Sequence, residues 1–161
     1  MLDDLYDRDV LLWSEQQADL IRRLARGERV NDVDWAHVAE EIEDVGLSEL
    51  HDVQSYLTQI LVHLLKIHGW PGFSAAAHWR AEIVAFQGEA DRRFAPSMRQ
   101  RIDLEKIYGQ AHRQVAKLRL GGNPARTPPA TCPVTLDQLL TAESETLETA
   151  FGTTRDNIRT P

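Results

Sequence analysis

Residues Asp32–His68 read DVDWAHVAEEIEDVGLSELHDVQSYLTQILVHLLKIH, and this stretch decides the fold. In its first half Trp35, Val38, Ile42 and Val45 step by three and four, which puts them on one face of a helix. In its second half Val53, Leu57, Ile60, Leu61, Leu64 and Leu65 form a wider apolar stripe, as expected of a helix at the centre of a bundle. Asp32 is the expected N-cap and Gly69 the expected C′ residue, with Pro71 just beyond. Gly46 lies inside the stretch, and Ser48 could restart a helix there. The expectation is a continuous helix, kinked or closely approached at Gly46, with a break as the alternative. At 1.5 Å per residue it would be roughly 55 Å long.

Upstream, a first helix is expected from about Asp4 to Arg26, ending at Gly27, with Tyr6, Val10, Trp13, Gln17, Leu20 and Leu24 in one column. Downstream, Trp70–Ser74 reads as a turn. A third helix follows over about Ala75–Phe94, with Trp79, Ile83, Phe86, Ala90 and Phe94 on one face. A fourth is expected over about Ser97–Leu118, closed by Gly121–Gly122. The proline-rich run GGNPARTPPATCPV, residues 121–134, cannot be helical and reads as an extended strap. Thr135 and Gln138 match a capping box that opens a short helix over about Leu136–Ala150. No strand alternation is evident. The expected architecture is all-α: an up-and-down bundle of four main helices with a C-terminal extended strap and short helix. Residues 1–150 are expected to form one domain and residues 151–161 a flexible tail.

Composition narrows the function classes. The net charge is −7, and the strongly positive field that a general nucleic-acid or anionic-membrane binder needs is missing. The single cysteine, Cys132, excludes an internal disulfide and a multi-cysteine metal site, and no activating base is evident beside it. The opening MLDDLYDRD is acidic where a signal peptide would be basic, and no apolar run approaches the roughly 20 residues of a membrane span. The cytoplasm is therefore the expected location. Glycine-rich phosphate loops, HExxH and nucleophile elbows are all missing from the sequence.

Charge is unevenly spread. Between Arg29 and Lys66 there is no Lys or Arg, yet the interval holds Asp32, Asp34, Glu40, Glu41, Glu43, Asp44, Glu49 and Asp52. Arg80, Arg92, Arg93, Arg99, Arg101, Lys106, Arg113, Lys117 and Arg119 supply the counterweight further on. One reading is an acidic helix packed beside basic ones. The other is an acidic surface that meets a basic protein partner or a metal.

Polar residues that interrupt the apolar columns are the candidate seam or site residues. Gln17 sits in the column of the first helix. Glu49 falls between Val45 and Val53 and needs a partner, such as Gln17 or an arginine of the third or fourth helix. His63 interrupts the core stripe among Ile60, Leu64 and Ile67. It lies about 21 Å from Glu49 along a continuous helix, so the two cannot share one metal. His112, one turn after Tyr108, is a possible companion from another helix, and Glu41 and Trp79 complete the set. The paired Glu-x-x-His motifs of di-iron bundles are not both present, so no metal or cofactor is expected.

Several fragments together carry a family resemblance: DRDVLLWSEQQADLIRRL, VAEEIEDVGLSEL, LTQILVHLLKIHGWP, HWRAEI and CPVTLDQLL. From about Tyr6 to Leu140 the chain resembles the bacterial domain of unknown function family 29. That resemblance implies a small all-helical protein with no established activity. It points to Trp13, Glu41, Glu43, Gly46, Ser48, Glu49, His63, Lys66, Pro71 and Trp79, and departs at His78, where serine is expected. The function expected from the residues is a protein-interaction module that uses its acidic helix face, through a protein partner or self-association. The alternative is a metal-binding bundle enzyme with Glu and His ligands in the core seam.

Overall fold

The computed structural model describes residues 3–152. It is all-α except for a pair of two-residue strands. The helices are α1 (Asp3–Arg8), α2 (Val10–Ala25), α3 (Trp35–Gly69), α4 (Ala76–Arg93), α5 (Leu104–Ala116), α6 (Leu136–Thr141) and α7 (Ser144–Ala150). The four expected main helices correspond to α2, α3, α4 and α5. The described residues fall into two compact units, with the boundary between Ser48 and Glu49.

The first unit contains α1, α2 and the start of α3. The expected first helix is two, because Asp9 leaves helical geometry and its carboxylate accepts from the Leu12 amide at 3.0 Å, capping α2. Trp13, Gln17 and Val38 are buried here, whereas Val10 is exposed. Asp34, not Asp32, caps α3. Its carboxylate accepts from the His37 amide at 3.4 Å, and its own amide donates to Gln17 Oε1 at 2.8 Å.

The expected buried face of early α3 needs correction. Val38 is buried, but Trp35 is 61% exposed, Ile42 69% and Val45 68%. The neighbouring elements bond and stack on the side of α3 that carries Asp34, His37 and Glu41. The i, i+7 side carrying Trp35 and Ile42 is left open.

In the second unit the C-terminal part of α3 is the core, with Val53, Leu57, Ile60, Leu61, Leu64 and Leu65 all buried. Trp79, Ile83 and Ala90 of α4 and Ile107, Tyr108, Ala111 and Val115 of α5 are buried with them. The expected fourth helix is shorter than its apolar pattern suggested. Pro96 opens a 3-10 turn over Pro96–Met98, and α5 begins only where Asp103 accepts from the Lys106 amide at 3.0 Å. After α5, Gly121 and Gly122 take left-handed φ values of 57° and 80° and turn a minimal hairpin. Its strands, β1 (Arg119–Leu120) and β2 (Asn123–Pro124), were not anticipated. The strap then runs to Thr135, whose capping box with Gln138 forms in both directions at 3.2 and 2.9 Å. The expected last helix is interrupted, since Ala142 and Glu143 are extended. Gln87 of α4 donates to the Leu139 and Ala142 carbonyls at 3.0 and 2.9 Å, tying the end of α6 down. Phe151, the first residue of the expected tail, is buried, and residues 153–161 lie outside the described residues.

Two glycines depart from expectation. Gly69 is the last residue of α3 and its φ is not positive. What it provides is closeness: a Cβ there would stand 2.8 Å from the Ala125 Cβ, and its carbonyl accepts from the Arg126 amide at 3.0 Å. At Gly46 the helix runs on unbroken, and a Cβ would meet nothing within 4 Å, so the expected close helix contact is not there. Gly46→Ala is therefore expected to stabilise the isolated chain by about 0.5–1 kcal/mol, through helix propensity alone. A denaturant midpoint that rises without a change in slope would show this, and a fall would reveal a hidden steric demand.

Candidate functional site

Polar side chains gather in three places. In the first unit the Tyr6 hydroxyl donates to Glu41 at 2.6 Å, and this bond is the chief reason its pKa is pushed up to about 12. The Tyr6 ring stacks on His37 at 4.0 Å and meets Trp13 edge-on at 4.9 Å. Trp13 Nε1 donates to Asp34 at 3.2 Å, and the same carboxylate lies 2.6 Å from His37 Nδ1. His37 is the main cause that holds Asp34 below the usual carboxylate range. Glu41 and Gln17 are thus bound into the scaffold that fixes the start of α3.

Beyond that scaffold the surface is acidic. Glu40, Glu43 and Asp44 are exposed and form no ion pair among the described residues. Further along α3, Arg93 of α4 reaches Glu49 and Asp52, with Nη1 at 3.2 and 3.3 Å from their oxygens. The acidic run is therefore partly compensated at its C-terminal end, one arginine against Glu49 and Asp52, and left open in its middle.

The third cluster surrounds His63. Its Nε2 lies 2.7 Å from Glu82 Oε2, and Glu82 Oε1 is 3.3 Å from His78 Nε2. The His63 ring stacks on Phe86 at 5.8 Å. Lys66 Nζ sits 5.5 Å over the Trp79 ring, which stacks on Phe73 at 5.6 Å. Burial, and then the Lys66 charge, push the His63 pKa down. A neutral ring that donates to Glu82 carries its proton on Nε2, and Nδ1 is then the free base. That nitrogen is buried without a hydrogen-bond partner among the described residues. The pair joins α4 to α3.

The lowered pKa has a stability consequence. The unfolded histidine titrates near 6.5, so on acidification the unfolded state takes up its proton first and stability rises with pH. The contribution is complete above about pH 6.5 and is lost as pH falls from there towards the lower native value. His63→Gln, which keeps a donor towards Glu82, is expected to lose less stability than the parent between about pH 7 and 5. Equal losses in parallel melts would refute this.

The candidate residues do not converge. Glu49 is held by Arg93, and His63 stands about 21 Å from it along α3. His112 is exposed on α5, against the strap. Among the described residues no group of three or more His, Cys, Asp or Glu could hold a metal ion.

The family described as Domain of unknown function DUF29 matches residues 5–144. The chain belongs to the DUF29 family. A crystal structure of an α-helical protein of unknown function from Rhodospirillum rubrum is similar to this DUF29 chain, with 31% identity and a TM-score of 0.66, covering 91% of this chain and 95% of that one. No curated protein matches. The sequence reading missed Glu82 in the DUF29 chain, although its spacing from His78, four residues on one helix, was a visible signal. Nothing in the sequence pointed from His63 to Glu82.

Proposed function

We propose that the chain is a protein-interaction module that receives a basic amphipathic segment of another protein on the first half of α3. One observation carries the reading: Trp35, Ile42 and Val45 stand exposed on the helix that also bears unpaired Glu40, Glu43 and Asp44. Apolar side chains supply contact area, and tryptophan is among the residues enriched at binding hot spots. Glu43 lies nearest this apolar strip, with Glu40 and Asp44 further round the helix, and their combined field favours Lys and Arg on the partner and speeds the encounter. Among the described residues no helix is long and apolar enough to cross a membrane. The cytoplasm suits a chain with one cysteine and no disulfide to form.

A photo-crosslinker placed at position 42 in cells is expected to capture one defined protein through a Lys/Arg-rich segment. Ile42→Glu, on an exposed site that leaves the fold intact, is expected to weaken that complex at least tenfold, about 1.4 kcal/mol. Recovery of the chain from cells only as free monomer, with no protein captured at position 42, would overturn the reading.

A further inference from the structure

We propose that the cleft between the end of α5 and the proline strap binds a small organic anion, with a carboxylate or phosphate head on a short apolar body. The cleft has a volume of about 220 Å³. At ~30 Å³ for each water, it has room for about seven water-sized groups, the size of a short-chain or single-ring acid. His112, Arg119 and Arg126 line it together with Leu65, Val115 and Pro128, and no Asp or Glu does.

That balance is the reverse of the chain's as a whole, which is −7. It is written in the sequence as well: from Lys106 to Leu136 there is no Asp or Glu, while Lys106, Arg113, Lys117, Arg119 and Arg126 all occur. Elsewhere in this unit Arg80, Arg93 and Arg99 each hold a carboxylate. The side chains of Arg126 and His112 have no hydrogen bond or ion pair among the described residues. Arg119 uses only Nη1, on the Ala116 and Leu118 carbonyls at 3.4 and 3.0 Å, so its Nε and Nη2 donors stay available. A guanidinium fork matches a carboxylate or phosphate, and the apolar walls take the body behind it.

The wall is in place before any ligand arrives. Trp70 Nε1 donates to the Asn123 carbonyl at 3.0 Å, and the Tyr108 hydroxyl to the Pro129 carbonyl at 2.6 Å. His68 Nε2 lies 3.1 Å from the Thr127 carbonyl, and the Arg126 amide is held by Gly69. Prolines 124, 128 and 129 fix φ along the strap. A cleft ordered in advance loses little entropy when it is filled. This site is independent of the acidic face of α3.

The test is titration of the full chain with benzoate, propyl phosphate and inorganic phosphate, with benzamide as the neutral control, followed by calorimetry and amide shift mapping. One-site binding of benzoate or propyl phosphate is expected, with shifts confined to the cleft residues and no response to benzamide. Whichever of the two binds identifies the head group. Arg126→Ala removes an exposed side chain without partners, so the fold is kept, and it is expected to weaken binding about ten- to hundred-fold, the worth of a charge-assisted contact. Three results would overturn the proposal: neither organic anion saturating, inorganic phosphate binding as tightly as propyl phosphate, or an affinity unchanged in both Arg126→Ala and Arg119→Ala.

Discussion

Arg80→Ala is expected to destabilise the chain by about 3–5 kcal/mol at neutral pH, the cost of leaving a buried charge without its partner. Glu148 of α7 is only 2% exposed. Its two oxygens are held by Arg80 Nε at 2.6 Å and Nη2 at 3.0 Å, and this bidentate bond is the main cause that raises the arginine's pKa. Remove the guanidinium and the carboxylate must be desolvated alone or α7 must leave α4. The second course would also expose Leu147 and Phe151, which are buried on and just after α7. Two comparisons separate the charge from the packing. Glu148→Gln alone keeps a hydrogen-bonding acceptor for Arg80 and is expected to cost less than Arg80→Ala. Arg80→Met with Glu148→Leu removes both charges at similar volume and is expected to return most of the stability, because buried ion pairs often do no better than well-packed apolar ones. Denaturant unfolding of the four proteins decides it. A loss below about 1 kcal/mol for Arg80→Ala would mean that water already reaches Glu148.

This ion pair could not be read from the sequence, and the reason applies more widely. Periodicity reports which residues share a face, and it worked where the face is covered on every side, as for Val53–Leu65 of α3. It does not report whether another element exists to cover that face. Trp35, Val38, Ile42 and Val45 have the spacing of a buried column, yet the neighbouring elements engage the side of His37 and Glu41. Short-range chemistry was legible at the Thr135–Gln138 capping box and in the helix-free strap. The same chemistry at Asp9 and Asp103 was available and overlooked, since an aspartate inside an apolar period looks like a surface residue until its cap bond is drawn. Gly69 shows the opposite failure. A local rule made it a left-handed terminus, whereas its lack of a side chain serves the approach of Ala125, a tertiary cause. In the candidate site, Glu49 and His63 were marked as intruders that needed partners. For Glu49 an arginine of the third or fourth helix was one of the expected partners, and Arg93 of α4 is that arginine, whereas the partner of His63, Glu82, was not anticipated.

Trp13→Ala is expected to cost about 3–5 kcal/mol, the range for removing a large buried aromatic side chain, with the damage centred on the first unit. Trp13 and Val38 are the buried apolar residues described there, so the tryptophan is most of that unit's core. It also has a polar task, because its Nε1 donates to the Asp34 carboxylate that caps α3, and the Asp34 amide in turn holds Gln17. The truncation therefore leaves a cavity beside Tyr6 and removes a donor from the cap at once. So few buried side chains leave little stability in reserve, and a loss of this size is comparable to all of it. Amides of residues 10–25 and 35–45 are expected to lose most of their hydrogen-exchange protection, while those of residues 57–67 keep theirs. Trp13→Phe retains the ring and drops the donor, so it is expected to fall between the two and to show how much of the effect belongs to the cap. An equal loss along the whole of α3 would contradict a first-unit effect, for it would mean that the long helix couples the two units into one cooperative domain and that the core around Leu57 and Leu61 depends on a tryptophan outside its own unit.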